Sequence, residues 1–237
     1  MKALVIVPTY NEAENIRRLI EEVLQKNESL EMLIIDDNSP DGTGGIVEDL
    51  MNTNKRLHLL RREAKLGLGS AYITGFKYAL QKDYDYIFEM DGDFSHDPNV
   101  LPVMLEEIEG NDLVIGSRYV PGGTVINWPI RRLLLSYLAS RYVKLVTGLP
   151  IKDATSGFKC YRKEVLKSLN LDKIMSDGYA FQVEIKYRIW LKKYRIKEIP
   201  IIFNDRVSGH SKMSRRIVYE AIWMVWRLRF LAIIGKI

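Results

Sequence analysis

Two aspartates one residue apart, Asp91-Gly92-Asp93, close an apolar run over residues 84–90 and precede Phe94-Ser95-His96-Asp97-Pro98. The aromatic and β-branched residues of that run read as a buried strand entered from a polar turn. In an open α/β sheet the carboxyl ends of the strands border the ligand crevice. Two carboxylates placed there can hold a hard divalent cation, which in turn bridges phosphate oxygens. Asp97 followed by Pro98 reads as an N-cap with proline at the first helical position, so a helix follows. Standing alone, a D-x-D segment is more often a solvated polar loop, so the metal reading depends on what else the chain brings beside it.

Strand patterns at 2–7, 31–36, 57–60, 84–91 and 112–117 alternate with helical ones. The first helical pattern starts at Asn11 and places Ile16, Leu19, Ile20, Val23 and Leu24 on one face. Others lie near 42–51, 70–82 and 99–109. Near-continuous apolar strands in a βαβ series predict an α/β fold, a mostly parallel sheet covered by helices on both faces. Polar residues gather after the first strand (Pro8-Thr9-Tyr10-Asn11-Glu12), the second (Asp36 to Thr43), the third (Lys65-Leu66-Gly67-Leu68-Gly69) and the fourth (Asp91-Gly92-Asp93). Each alone would be an ordinary turn. In a parallel sheet all four share one edge and line one crevice. Gly67-x-Gly69 lacks the third glycine of a dinucleotide fingerprint and follows the third strand, so a nucleotide here would be held by carboxylates and a metal.

The charge is divided. Residues 1–117 carry 11 Lys+Arg against 22 Asp+Glu, net −11, and residues 118–237 carry 24 against 8, net +16. The basic half therefore suits an anionic partner: nucleic acid, a membrane surface or a phosphorylated substrate. A Pro/Gly-marked stretch at 120–129 sits beside the change of sign and reads as an active-site loop. At 237 residues and 47% hydrophobic content the chain can bury one large domain, or a domain plus an extension. Its one cysteine, Cys160, excludes an internal disulfide and a cysteine zinc site, and His58, His96 and His210 are scattered. The strand at 2–7 is ended by Pro8 too soon for a signal peptide, which gives the expectation of an intracellular chain. No run of about twenty uncharged apolar residues occurs. The stretch 217–237, with Trp223 and Trp226 beside Arg227 and Arg229, suits either a helix in a headgroup layer or one packed on the domain.

Taken together, Val7-Pro8-Thr9-Tyr10-Asn11-Glu12, Asp36-Asp37-Asn38-Ser39-Pro40-Asp41-Gly42-Thr43 and Met90-Asp91-Gly92-Asp93 resemble the inverting glycosyltransferases of GT-A family 2. Gly116-Ser117-Arg118-Tyr119, Asp153-Ala154-Thr155-Ser156-Gly157-Phe158-Lys159 and Arg206-Val207-Ser208-Gly209-His210-Ser211-Lys212 narrow the resemblance to the dolichyl-phosphate (polyprenyl-phosphate) mannose synthases. It runs from Val5 to Lys212. It implies a GT-A domain over 1–212, with a donor and metal half at 1–117, an acceptor half at 118–212 and an amphipathic helix at 213–237.

By that resemblance, Pro8, Tyr10, Glu12, Asp36 and Asp37 contact the base and ribose of a donor, GDP-mannose, with Lys65 and Gly67 bordering the same pocket. The Asp91-Gly92-Asp93 turn faces the diphosphate, and Asp91 and Asp93 hold Mg2+ or Mn2+. Ser95 stands where relatives can supply a further ligand, and water is the alternative there. The implied catalytic set is Asp93, Arg118 and Arg206. A lipid monophosphate needs no general base, because its second pKa is about 6 and it is largely dianionic at neutral pH. It needs cationic guidance, for which Arg118, Arg131, Arg206 and Lys212 are the candidates; Arg131 could exchange roles with Arg132. The helix after Pro129, apolar on more than one face, suits either shelter for an isoprenoid chain at a membrane edge or a core position under the sheet.

The expected partners are GDP-mannose, a dolichyl or polyprenyl phosphate and the cytoplasmic face of a membrane, with a small membrane anchor protein left open. UDP-glucose or another donor, a soluble acceptor, and a non-catalytic nucleotide- or membrane-binding module are the alternatives. No nucleic-acid motif accompanies the basic charge.

Overall fold

The computed structural model of the chain describes residues 1–174, 176–205 and 215–237, the last stretch with side chains from residue 222 onward. Its core is a seven-stranded sheet built from β1 (Ala3–Thr9), β2 (Leu30–Asp36), β3 (Leu57–Arg61), β4 (Tyr86–Glu89), β5 (Leu113–Ser117), β7 (Lys159–Arg162) and β8 (Ile196–Pro200). The spatial order is β3-β2-β1-β4-β7-β5-β8. All neighbours are parallel except β7, which runs antiparallel between β4 and β5. The parallel series of β1 to β4 thus holds, and the antiparallel insertion is what the strand–helix alternation did not show. A separate parallel pair joins β6 (Thr124–Ile126) to β9 (Ile202–Asn204), so the expected 120–129 loop contains a short strand.

Alternate residues of β1 show why the sheet takes helices on both faces. Ala3, Val5 and Val7 pack into one layer with Ile16, Leu19, Ile20 and Val23 of α1 (Ile16–Lys26), Val47 of α2 (Thr43–Met51) and Leu101 and Met104 of α4 (Leu101–Glu107). Leu4 and Ile6 face the other layer, with Tyr72 and Phe76 of α3 (Leu68–Leu80), Val143 of α5 (Ile130–Thr147), Val165 of α6 (Lys163–Lys167), Phe181 of α7 (Gly178–Leu191) and Leu228 of α8 (Arg215–Ile233). The helix begun at Asn11 by pattern forms only from Ile16, because Asn11 takes φ 61° and turns the chain. Asp97 caps as expected, accepting from the Asn99 N–H at 2.9 Å, and Pro98 opens a 3-10 turn that leads into α4.

Among the described residues no helix is long and apolar enough to cross a membrane. The two basic-half helices are nonetheless poorly covered. In α5 only Ser140, Val143 and Thr147 are buried, while Ile130, Leu133, Leu134, Leu135, Tyr137, Leu138 and Leu145 are exposed. The core position under the sheet therefore applies to one narrow stripe of α5. α8 combines both readings of the C-terminal stretch: Val225 and Leu228 are buried against the domain, and Trp223, Trp226 and Phe230 face solvent.

Candidate functional site

Four loops leave the carboxyl ends of β1, β2, β3 and β4 on one edge, as the pattern required. Each turns through a left-handed residue just beyond its strand: Asn11 (φ 61°), Asn38 (φ 55°), Gly67 (φ 100°) and Phe94 (φ 59°). Asparagine tolerates this region, whereas for phenylalanine it is an outlier that surrounding structure must hold. The Phe94 turn brings Ser95 N–H to Asp93 Oδ1 at 3.0 Å. It also folds His96 back, so that Nδ1 accepts the Asp91 N–H at 3.1 Å while the ring stacks on Phe158. Burial pushes the His96 pKa down, against the pull of Asp91 and Asp93, which keeps the ring neutral.

A polar cavity of about 270 Å³ opens over this turn. Pro8, Glu12, Asp91, Gly92 and Asp93 line it, together with Arg118, Arg132, Tyr179 and Gln182. Asp91 is partly exposed, and Ser95 Oγ is buried with no hydrogen-bond partner among the described residues. Ser95 lies off the cavity wall, with its N–H on Asp93. Its orphaned hydroxyl oxygen and the two carboxylates on the wall are oxygen groups of the kind a hard divalent cation takes, with water and phosphate as further ligands. No group of three or more His, Cys, Asp or Glu side chains is arranged for a metal among the described residues, so the set rests on Asp91, Asp93 and Ser95.

The other residues expected to meet a donor stand beside the cavity rather than on its wall. Asp36 accepts from Thr9 Oγ1, Ser39 Oγ and Ser39 N–H, which fixes the loop after β2. Asp37 is buried in a bidentate pair with Arg62, at 2.5 and 2.7 Å. Both carboxylates thus shape the pocket's frame. Lys65 Nζ lies 4.0 Å over the Tyr10 ring, joining the first and third loops at their exposed rim. Gly67 must be glycine: beyond its φ, an added Cβ would run into the Asp177 carboxylate, which accepts the Gly69 N–H at 2.6 Å.

The cations of the basic half sort themselves. Arg118 is buried, lines the cavity and chelates Asp153. Arg132 also lines the cavity, stacks 4.0 Å over Trp128 and donates to Asp205 at 2.7 Å. Arg131 is exposed and lines neither this cavity nor the one beside it. Helical phase separates the two: α5 turns Arg132 toward the cleft and Arg131 away. Arg206 and Lys212 lie outside the described residues.

Beneath the cavity runs a buried polar core. Glu89 and Lys159 are cross-strand partners on β4 and β7, with Nζ 2.7 Å from Oε2, and Gln182 bonds to both. Desolvation lowers the Lys159 pKa, with Glu89 opposing it. Lys186, also fully buried, donates to the carbonyls of Asp153, Ala154 and Ser156. Sequence reasoning gave none of these a role, nor Trp128, Tyr179 or His96. For Asp153 and Lys159 the signal was present, since both stand in a quoted motif block.

A second cavity of about 300 Å³ adjoins the first, lined by Leu135, Leu138, Ala139, Val143, Val183 and Val225 among others of α5, α7 and α8. The two share Arg118, Trp128, Arg132, Thr155 and Tyr179. A carboxylate-lined crevice thus passes into an apolar groove at a junction of two guanidinium groups. This arrangement can hold a phosphorylated nucleotide on one side and an apolar chain with an anionic head on the other.

Comparison with known proteins agrees with this geometry. The chain is 43% identical over 232 residues to a polyprenol monophosphomannose synthase of Mycolicibacterium smegmatis, covering 96% of this chain and 88% of that one. It is 43% identical over 227 residues to an undecaprenyl-phosphate mannosyltransferase of Micrococcus luteus, covering 96% and 93%. A Pyrobaculum calidifontis mannosyltransferase solved with GDP-Man and Mn2+ shares the fold at a TM-score of 0.62 and 18% identity, over 99% of this chain and 64% of that one. The family model for glycosyl transferase family 2 matches residues 4–169, most of the sheet and the whole of the carboxylate edge, and the chain belongs to that family.

Proposed function

We propose that this chain moves mannose from GDP-mannose to a polyprenyl or dolichyl phosphate at a membrane surface, giving polyprenyl-phosphate mannose and GDP. The observation that carries the reading is the junction: the polar crevice and the apolar groove meet at Arg118 and Arg132. A soluble acceptor would leave the groove between α5, α7 and α8 without a purpose. The names of the two relatives support a mannosyl product on a polyprenyl carrier, and the Pyrobaculum fold neighbour, bound to GDP-Man, supports the donor.

The lipid phosphate oxygen attacks the anomeric carbon as the bond to GDP breaks, inverting the configuration there. No side chain need remove a proton, since the acceptor is already dianionic near neutral pH. Arg118 and Arg132 hold its phosphate at the mouth of the crevice, and the groove walls of α5, α7 and α8 take the first isoprene units. Asp91 and Asp93, with Ser95 Oγ, are the groups that would hold Mg2+ or Mn2+, which supplies Lewis-acid stabilisation of the departing diphosphate. The exposed apolar residues of α5 and α8 (Leu134, Leu138, Trp223, Trp226 and Phe230), flanked by Arg131, Arg141, Arg227 and Arg229, suit peripheral binding to the cytoplasmic face of a membrane.

The test is transfer of label from GDP-[14C]mannose into organic solvent, with purified protein, Mn2+ or Mg2+ and polyprenyl phosphate. UDP-[14C]glucose runs in parallel, and Asp91→Ala is the control. Lipid-soluble label from GDP-mannose that is lost in the variant supports the reading. Label from UDP-glucose alone overturns the donor, and no lipid label from either overturns the acceptor.

A further inference from the structure

Arg118 is held far more firmly than a surface phosphate ligand needs to be. Its Nε–H and Nη2–H donate to Asp153 Oδ2 and Oδ1 at 2.7 and 2.6 Å, and its own backbone N–H returns to Oδ2 at 3.0 Å. Nη2 reaches Thr155 Oγ1 as well, at 2.8 Å. Only Nη1 has no partner among the described residues.

Asp153 is itself fixed from three elements. Its backbone N–H and that of Lys152 donate to the Glu198 carboxylate on β8, at 2.9 and 2.8 Å. Its carbonyl, with those of Ala154 and Ser156, caps the Lys186 ammonium of α7. Ser156 Oγ donates to the Gly116 carbonyl on β5, two residues before Arg118. Asp153 is fully buried, and against that desolvation the charge and hydrogen bonds of Arg118, together with the Lys186 ammonium, hold its pKa below the ordinary carboxylate range. Both partners of the pair are therefore charged. The other junction cation, Arg132, pairs with Asp205, whose side chain is a quarter exposed.

We propose that Asp153 is a positioning residue for the transfer: it clamps the Arg118 guanidinium so that the Nη1 edge is presented, already oriented, to the acceptor phosphate. This rests on the function proposed above. The clamp's cost is that most of Arg118's charge is matched before substrate arrives. Its gain is that a long, rotamer-rich side chain no longer has to be ordered on binding.

The test is a cycle of Arg118→Gln, Asp153→Asn and the double variant, each assayed for lipid transfer with acceptor and donor varied separately. Asp153→Asn is expected to raise the acceptor KM about tenfold or more, as loss of a buried charged partner does, with the GDP-mannose KM within about twofold of wild type. The double variant is expected to match Arg118→Gln, because Asp153 acts only through Arg118. Losses that multiply in the double variant, or donor and acceptor KM rising together, overturn the proposal. Should a single variant not fold, Thr155→Val decides. It removes the second tether without burying a charge, so an acceptor KM raised a few-fold supports the clamp and an unchanged one overturns it. If wild-type protein transfers nothing to lipid, the functional reading has failed rather than the clamp.

Discussion

Adjacent arginines on one helix give the sharpest quantitative contrast. Arg132→Met keeps an unbranched apolar stem but removes the guanidinium, and with it the stacking on Trp128, from the wall shared by both cavities. One charged hydrogen bond to a phosphate contributes about 1.5–3 kcal/mol. At about 1.4 kcal/mol per decade that is a loss of roughly 10- to 150-fold in kcat/KM for the lipid acceptor. The variant also breaks the pair with Asp205, whose side chain is 25% exposed. Water takes over that carboxylate, so the structural cost stays below about 1 kcal/mol. Arg131, fully on the solvent side, is expected to change the same quantity by no more than about 0.5 kcal/mol, or about twofold, when replaced by Met. The assay is initial-rate extraction of labelled lipid at saturating GDP-mannose. Detergent micelles replace anionic vesicles, so that surface attraction does not mask the difference. Equal losses in the two variants, or an Arg132→Met effect on the donor KM as large as that on the acceptor, would refute the assignment.

Three further outcomes follow from the frame of the site. Gly67→Ala forces a side chain into φ 100° and displaces Asp177 from the Gly69 N–H, at a cost of about 2–4 kcal/mol; a thermal melt should show Tm lower by roughly 5–15 °C. Lys159→Met leaves Glu89 buried and unpaired, expected to cost about 3–5 kcal/mol in urea unfolding. Adding Glu89→Gln should recover most of that, since glutamine keeps partners for Tyr161 and Gln182. His96, whose pKa is lowered by burial, binds fewer protons folded than unfolded, so its stability contribution is present above about pH 6.5 and is lost as pH falls through the folded pKa. In chelator, the stability of His96→Asn should fall less steeply over that window than the wild type's.

Much of the site was legible because its residues sit at strand ends. Four strand patterns, each followed by a polar turn, fit one edge of a parallel sheet, and the loops after β1 to β4 fall there. What fixes the individual roles lies at longer range. Asp36 and Asp37 read as ligand-facing carboxylates; that they also hold Thr9, Ser39 and Arg62 is marked by no spacing. Arg131 and Arg132 differ only in helical phase, and α5, apolar on several faces, gives no clear phase to read. The groove itself needs α8 beside α5 and α7, a packing that no local pattern encodes.

β7 and α7 show why the centre of the molecule was the hardest part to read. A central strand ordinarily declares itself by unbroken apolar residues, yet β7 carries Lys159 at its start, fully buried. Along α7, Gln182, Glu184, Lys186 and Arg188 are all buried, a pattern that by composition belongs to a solvated helix. Each is tolerated only because a partner meets it: Gln182 and Lys186 as described, Glu184 through Ser176 and Arg188. The partners come from β4, the 153–156 loop and the segment before α7, three elements that approach one another only after the antiparallel strand is in place. Of these positions only Lys159 stands in a sequence motif, and the fold supplies the reason for them all. They are the buried framework that joins the acidic half of the chain to the basic half beneath the crevice, where an apolar core could not have anchored Arg118.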